Sequence, residues 1–181
     1  YLRGALEAER HGVDAQRVRS YFAFENVLPG VLDTTAALLG IEYVPVKVPT
    51  WHDDVRSYDV LQDGTRIGRI HLDLHPREGK YNHAACFPLV PGITDRALPE
   101  GTLLCNFSRG LLTHDEVVTF FHEFGHLVHH ILAGKQSIGR FSGVATEWDF
   151  VEAPSQLLEE WAWDPQVLAT FARNAEGEPI P

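Results

Sequence analysis

Residues 113–134 constrain the fold more than any other part of the chain, because they have the pattern of one long two-faced helix. Thr113 and Glu116 are spaced as a capping box, and Gly134 is a residue type that commonly ends a helix. At 100° per residue, the apolar residues share one broad side. They are Val117, Phe120, Phe121, Phe124, Leu127, Val128 and Ile131. We therefore predict a helix that packs on a core through this side.

A narrow polar stripe on the opposite side of this helix contains a metal-binding pattern. Its members are Asp115, Thr119, His122, His126 and His129. His122 and His126 are four residues apart, which places the two imidazoles on one face about 6 Å apart and suits two corners of a zinc site. Glu123 completes an HExxH motif and lies about 100° further round, where it can act on a metal-bound water without being a ligand. The stripe predicts a metal site with Glu123 as the base.

Gly125, inside the same motif, predicts a tight helix crossing. A glycine in a helix interior costs roughly 0.5–1 kcal/mol relative to alanine. Such a residue is expected where another backbone comes close, so we expect a second segment to cross the helix here.

The third ligand has to come from a later element, because the metzincin extension fails. That extension needs glycine in place of His129 and histidine in place of Leu132. Four glutamates lie on or beside a predicted helical stretch, residues 148–162: Glu147, Glu152, Glu159 and Glu160. Glu159 and Glu160 are interpreted as solvated. Helical periodicity does not decide between Glu147 and Glu152.

The preceding residues, 1–112, have the pattern of helices and a small sheet. Helices are predicted over residues 2–20 and 31–39. Strands are predicted over residues 41–48, 56–62, 66–74, 84–90 and 102–107. Asp63-Gly64 is a strong hairpin-turn signal between two of these strands. A small, mostly antiparallel sheet followed by a helical region, residues 113–181, predicts the α+β class.

Composition narrows the functional classes. The chain has 181 residues, enough for one domain, and its net charge of −10 argues against a nucleic-acid partner. No apolar run approaches the ~20 residues of a membrane span.

Cys86 and Cys105 lie in short apolar runs and are interpreted as reduced thiols. Reduced thiols indicate a reducing compartment, so we expect a cytoplasmic protein.

Several blocks of the sequence resemble one family of zinc peptidases. The blocks are Phe120–His126, Phe141–Gly143, Asp149–Gln156, Leu72–Lys80, His83–Phe87, His114–Val117 and Gly177–Pro181. Together they resemble the thimet oligopeptidase/neurolysin family, and the paired HEFGH and DFVEAPSQ blocks are the most specific. By this resemblance the third zinc ligand is the glutamate of the second block, Glu152.

The resemblance also implies a function and a fold. It implies a zinc metalloendopeptidase that binds Zn²⁺ through His122, His126 and Glu152. Such an enzyme hydrolyses short oligopeptides by attack of a zinc-bound water assisted by Glu123. Residues 1–181 would be part of one zincin-like catalytic domain within a larger, mainly helical, two-lobed peptidase. The missing N- and C-terminal regions would include the tyrosine and histidine that stabilise the oxyanion, so the isolated chain is expected to be inactive or impaired.

Further side chains are weighed as partners of the ligands. His129, Asp149 and Asp115 are the candidates for hydrogen bonding to the ligands or contacting the substrate. His114 and His130 are interpreted as solvated. Trp148, Trp161 and Trp163 are predicted to lie in the core.

Two alternative functions remain at this point. One is a non-catalytic zinc-binding or structural fragment, and the other is a peptidyl-dipeptidase of the same family. Glu123 between the two histidines argues against a purely structural metal site, because such a site needs no base.

Overall fold

The computed structural model describes residues 14–181. The helices are α1 (Ala15–Arg19), α2 (Phe24–Leu39), α3 (His114–Leu132), α4 (Ala153–Glu159) and α5 (Pro165–Phe171). The strands are β1 (Glu42–Pro45), β2 (Arg56–Gln62), β3 (Thr65–Asp73), β4 (Ala85–Val90) and β5 (Glu100–Leu104), and short 3-10 turns cover Gly139–Phe141 and Glu160–Ala162. Within the helix predicted over residues 2–20, only residues 15–19 are helical among those described. Residues 1–13 lie outside the described part.

The five strands form one sheet in the order β1-β2-β3-β5-β4. All neighbours are antiparallel except β3 and β5, which run parallel. Asp63 and Gly64 form the turn between β2 and β3, with φ angles of 50° and 70°. Both positive angles are typical of the tight hairpin turn that this dipeptide predicts. The mixed class with a small, mostly antiparallel sheet is therefore confirmed, and β4 lies at one edge.

Helix α2 begins at Phe24, seven residues before the predicted start at residue 31. Pro29 lies inside it, a residue that usually breaks a helix. The buried residues Phe24, Val27, Leu28 and Val31 follow helical spacing, so burial of this stripe outweighs the local cost of proline. Gly40 ends the helix as predicted, with a left-handed φ of 63°.

Helix α3 has the predicted capping box and the predicted buried side. The Thr113 hydroxyl accepts from the Glu116 N–H, while the Glu116 carboxylate accepts from the Thr113 N–H at 2.7 Å. Each residue assigned to the apolar side is buried. The helix ends at Leu132 and its C-cap is Ala133, so Gly134 directly follows the end of the helix as predicted, but its φ is not left-handed. Gly134 instead allows close contact with Gly92 and Pro99, where a side chain would not fit.

A buried ionic cluster fixes the segment that leads into β4. The Asp73 carboxylate is inaccessible and accepts two hydrogen bonds from Arg77, at 2.6 and 2.8 Å. Lys80 lies 2.9 Å from the same carboxylate and also donates to the Cys105 carbonyl. Burial works to raise the pKa of Asp73, but hydrogen bonds from Arg77, Trp51 and Lys80 outweigh it and hold the pKa well below its usual value.

The prediction for the tryptophans is wrong at two positions. Trp148 is 93% exposed and Trp163 is 62% exposed, whereas Trp161 is partly buried against the core. Trp148 lies in a turn region before α4, because the predicted helical stretch 148–162 becomes helical only at Ala153. Among residues 14–181, no helix combines the length and apolar character needed to cross a membrane.

Candidate metal centre

The candidate site lies where α4 crosses α3. Gly125 is at the crossing, and a Cβ placed on it would lie 2.6 Å from the Ser155 Cα and 3.1 Å from the Pro154 carbonyl oxygen. The predicted close approach of a second backbone is thus confirmed. Since Glu152 immediately precedes α4, this crossing brings its carboxylate to the histidine face of α3.

We expect Gly125→Ala to weaken the crossing, because the contacted atoms are backbone and cannot rotate away. Overpacking of this kind costs about 1–3 kcal/mol, and the displaced α4 should also lower zinc affinity. Thermal and urea unfolding measure the first effect. Gly110→Ala is the control, because a Cβ there meets only the Ser108 hydroxyl at 3.7 Å. Equal stability of the two variants would contradict the tight crossing.

Three side chains converge with the donor set and spacing of a zinc site. One Glu152 oxygen lies 3.3 Å from His122 Nε2 and 3.1 Å from His126 Nε2, and the three donor atoms lie within 4.8 Å of one another. Tetrahedral ligands bound at 2.0–2.1 Å are about 3.3 Å apart, so two imidazoles and a carboxylate at these distances fit zinc. No other group of three such side chains in residues 14–181 is placed this way. Glu147, the competing candidate, is exposed and lies outside the group.

Two residues of α4 orient the candidate ligands. The Ser155 hydroxyl is buried and donates to the Glu152 carboxylate at 2.9 Å. Glu159 accepts from His122 Nδ1 at 2.6 Å, which directs Nε2 toward the site. The interpretation of Glu159 as solvated is therefore wrong. Glu159 follows Glu152 by seven residues, about two helical turns, so the two side chains lie on the same side of a helix. This spacing was the sequence signal that could have predicted the contact.

Removing this carboxylate should weaken metal binding without removing a ligand. We expect Glu159→Ala to lower zinc affinity about 10–100-fold, the usual cost of losing a partner that orients a ligand histidine. Competition with a chromophoric chelator measures it. Glu160→Ala, at the exposed neighbouring position, should leave the affinity unchanged. Equal losses in both variants would mean that general negative charge matters, not the contact with His122.

Glu123 lies near Cys86 of β4. Its carboxylate is half-buried and lies near the backbone N–H of Cys86. Burial raises its pKa, while charge on His122 and His126 opposes the rise. A half-buried carboxylate with a raised pKa can accept and return a proton. The Cys86 thiol nearby is free, and burial raises its pKa to about 12.

The three candidate partners of the ligands occupy different environments. His129 is half-buried beside the Phe150 ring, with centroids 6.1 Å apart, and burial lowers its pKa. Its Nδ1 is buried and has no hydrogen-bond partner in the described part of the chain. Asp115 and Asp149 are exposed. The carboxylate that contacts a candidate ligand histidine through Nδ1 is that of Glu159.

Two histidines interpreted as solvated have structural contacts instead. His114 is half-buried, donates from Nε2 to the Ala162 carbonyl at 2.8 Å, and packs on the Trp163 ring. His130 is 1% exposed and donates to two carbonyls. Both partners come from distant segments, so local helical periodicity does not reveal these contacts.

The site combines a mixed sheet, a helix with the HExxH motif and a glutamate at the start of the next helix. This combination is typical of zincin-like metallopeptidases. The family model of Peptidase family M3 matches residues 1–181. The chain therefore belongs to Peptidase family M3, which confirms the resemblance found in the sequence.

Named relatives agree with this assignment. The chain is 41% identical to a thimet-like oligopeptidase of Dictyostelium discoideum over 93% of its residues. It is 39% identical to saccharolysin of Saccharomyces cerevisiae over 96% of its residues. It is 36% identical to oligopeptidase A of Escherichia coli over 94% of its residues. It spans 27% of the length of each of these proteins.

Proposed function

We propose that this chain carries the zinc-binding and proton-transfer groups of an oligopeptidase. The observation that carries the proposal is the convergence of His122, His126 and Glu152 beside the half-buried Glu123. Relatives with oligopeptidase in their names support a peptide as the substrate. The proposed reaction is hydrolysis of internal bonds in short peptides.

The roles follow from the donors and their surroundings. His122, His126 and Glu152 would hold Zn²⁺, which when bound lowers the pKa of a water toward ~7 and polarises a carbonyl group. Glu123 would accept the proton of the attacking water and return it to the leaving amine. The Glu123 carboxylate lies near the Cys86 N–H of β4, so the base is placed beside that strand.

The extent of the working enzyme is part of the proposal. We propose that residues 1–181 form part of one catalytic domain, with residues 1–112 contributing the sheet and residues 113–181 the ligands. Groups that stabilise the oxyanion would come from regions outside this chain, as the family resemblance implies. The two free thiols, Cys86 and Cys105, are compatible with the proposed cytoplasmic location.

Metal analysis and a peptide assay test the function. The 181-residue chain, reconstituted and dialysed, should retain about one zinc per molecule, as the one set of three donors within residues 14–181 requires. The full-length protein that carries this sequence should cleave a quenched-fluorescent octapeptide, lose activity with a chelator and recover it with zinc. The isolated chain should be far slower. A reconstituted chain that retains no zinc would overturn the proposal, and equal rates for both proteins would overturn the claim that outside groups are needed.

A further inference from the structure

His130 connects the metal-binding helix to two strands. It lies on α3 one turn beyond His126, and its Nε2 donates to the Val90 carbonyl at 3.1 Å and the Glu100 carbonyl at 3.0 Å. Both acceptors are carbonyl oxygens, so Nε2 carries the proton. Val90 ends β4 and Glu100 begins β5, and a single imidazole therefore joins the ends of two neighbouring strands to α3.

The end of β4 depends on a contact of this kind. The pairing of β4 with β5 shifts register between Pro88 and Val90, so Leu89 has no partner there. Pro88 has no N–H to donate, and β4 has β5 on only one side because it is an edge strand. The regular hydrogen bonding of β4 is thus interrupted next to Val90, where His130 attaches.

The other end of the same strand lies beside the proposed base. The Glu123 carboxylate lies near the Cys86 N–H, four residues before Val90. Glu123 and His130 are separated by about 10 Å along the helix, and Cys86 and Val90 by about 13 Å along the strand. These lengths are similar, so β4 packs along α3 from the proposed base to His130, and the His130 hydrogen bond holds the end at Val90.

The His130 ring is also held in place from its other side. Gly143 packs against the ring at Nδ1, and a Cβ on Gly143 would collide with it. The φ of Gly143 is 67°. The Gly143 N–H bonds to the Ala133 carbonyl at the end of α3. The ring is therefore enclosed by α3, the strand ends and the loop that leads to Glu152.

We infer that His130 is a positioning residue for peptide binding: it fixes the edge strand β4 at a set distance from Glu123. This inference rests on the proposed function, because it assumes that a peptide lies along β4. An edge strand can accept an extended peptide as an additional strand. A peptide aligned on a fixed β4 would present its bond to Glu123 in one register, and a loose β4 would bind it less well.

His130→Leu and His130→Gln separate positioning from general stability. Leucine fills the space without a donor, whereas the glutamine amide can again donate to the carbonyls. Thr35→Val is the control, since it removes a buried hydroxyl that bonds to carbonyls of α2 and to the Tyr43 hydroxyl of β1, the edge strand opposite β4. All three are made in the full-length protein that carries this sequence, and zinc content, hydrogen exchange and peptide kinetics are measured for each.

The leucine variant should show a local loss. Amides of β4 should exchange about tenfold faster, the usual effect of losing a buried donor, while zinc affinity stays within about twofold. KM for an octapeptide should rise about fivefold, with kcat and the KM of a tripeptide nearly unchanged. Glutamine should restore both measurements, and Thr35→Val should change neither.

Other outcomes overturn the inference. Unchanged β4 exchange in the leucine variant would show that His130 does not hold the strand. A fall in kcat and zinc affinity with no change in KM, or no rescue by glutamine, would indicate only a structural role. If the unaltered protein cleaves no peptide while β4 exchange still responds to His130, then the proposed function has failed and the strand contact stands.

Discussion

Glu123→Gln is expected to lower kcat for peptide hydrolysis by about three to four orders of magnitude, at the upper end of what a general base contributes. Glutamine keeps the shape of the side chain and loses the ability to take a proton. Zinc should remain bound, because Glu123 is not among the three converging donors. Initial rates on a quenched-fluorescent peptide and metal analysis of the same sample measure both effects.

The matched control for this change is Glu160→Gln. Glu160 is exposed and lies outside the donor group, so its variant should keep normal rates. Substantial activity in Glu123→Gln with full zinc content would show that another group takes the proton. Loss of zinc together with activity would show that Glu123 supports the metal instead.

Glu152→Ala is expected to lower zinc affinity by about two to three orders of magnitude. A structural zinc site is stabilised by about 10–16 kcal/mol over four ligands, so a single ligand accounts for several kcal/mol. The loss should exceed that in Glu159→Ala, because a donor disappears and not only its orienting partner. Competition with a chelator of known affinity provides the measurement.

Glu147→Ala is the sharpest control, since sequence periodicity alone left Glu147 and Glu152 as equal candidates. Glu147 is exposed and outside the cluster, so zinc affinity should be unchanged. The opposite pattern, with affinity lost in Glu147→Ala and kept in Glu152→Ala, would reject the proposed third ligand.

Features encoded by neighbouring residues were predictable from the sequence. The capping box at Thr113, the buried side of α3 and the Asp63-Gly64 turn are each encoded by the spacing or type of neighbouring residues, and all three are present. Gly125 was also informative, because an unfavourable residue in a helix needs a reason outside the helix. The glycine predicted a crossing but not which segment would cross.

Features that depend on distant partners were missed. The contact of Glu159 with His122 joins two helices, and His130 bonds to carbonyls on two strands. Polar residues on a helix look solvated until the element that covers them is known. The start of α2 was missed for a related reason, because burial of its stripe overcomes the local effect of Pro29.

The crossing at Gly125 has a consequence for how this family can vary. Contact between Gly125 and Ser155, and not the intervening loop, sets the place of Glu152. Closing a longer loop costs little, only about 0.6 kcal/mol for each doubling of its length. Insertions within residues 136–138, which are exposed and lie ahead of the fixed Gly143, should therefore be tolerated during evolution. This stretch is a natural place to graft new sequence while the chemistry next to it is left intact.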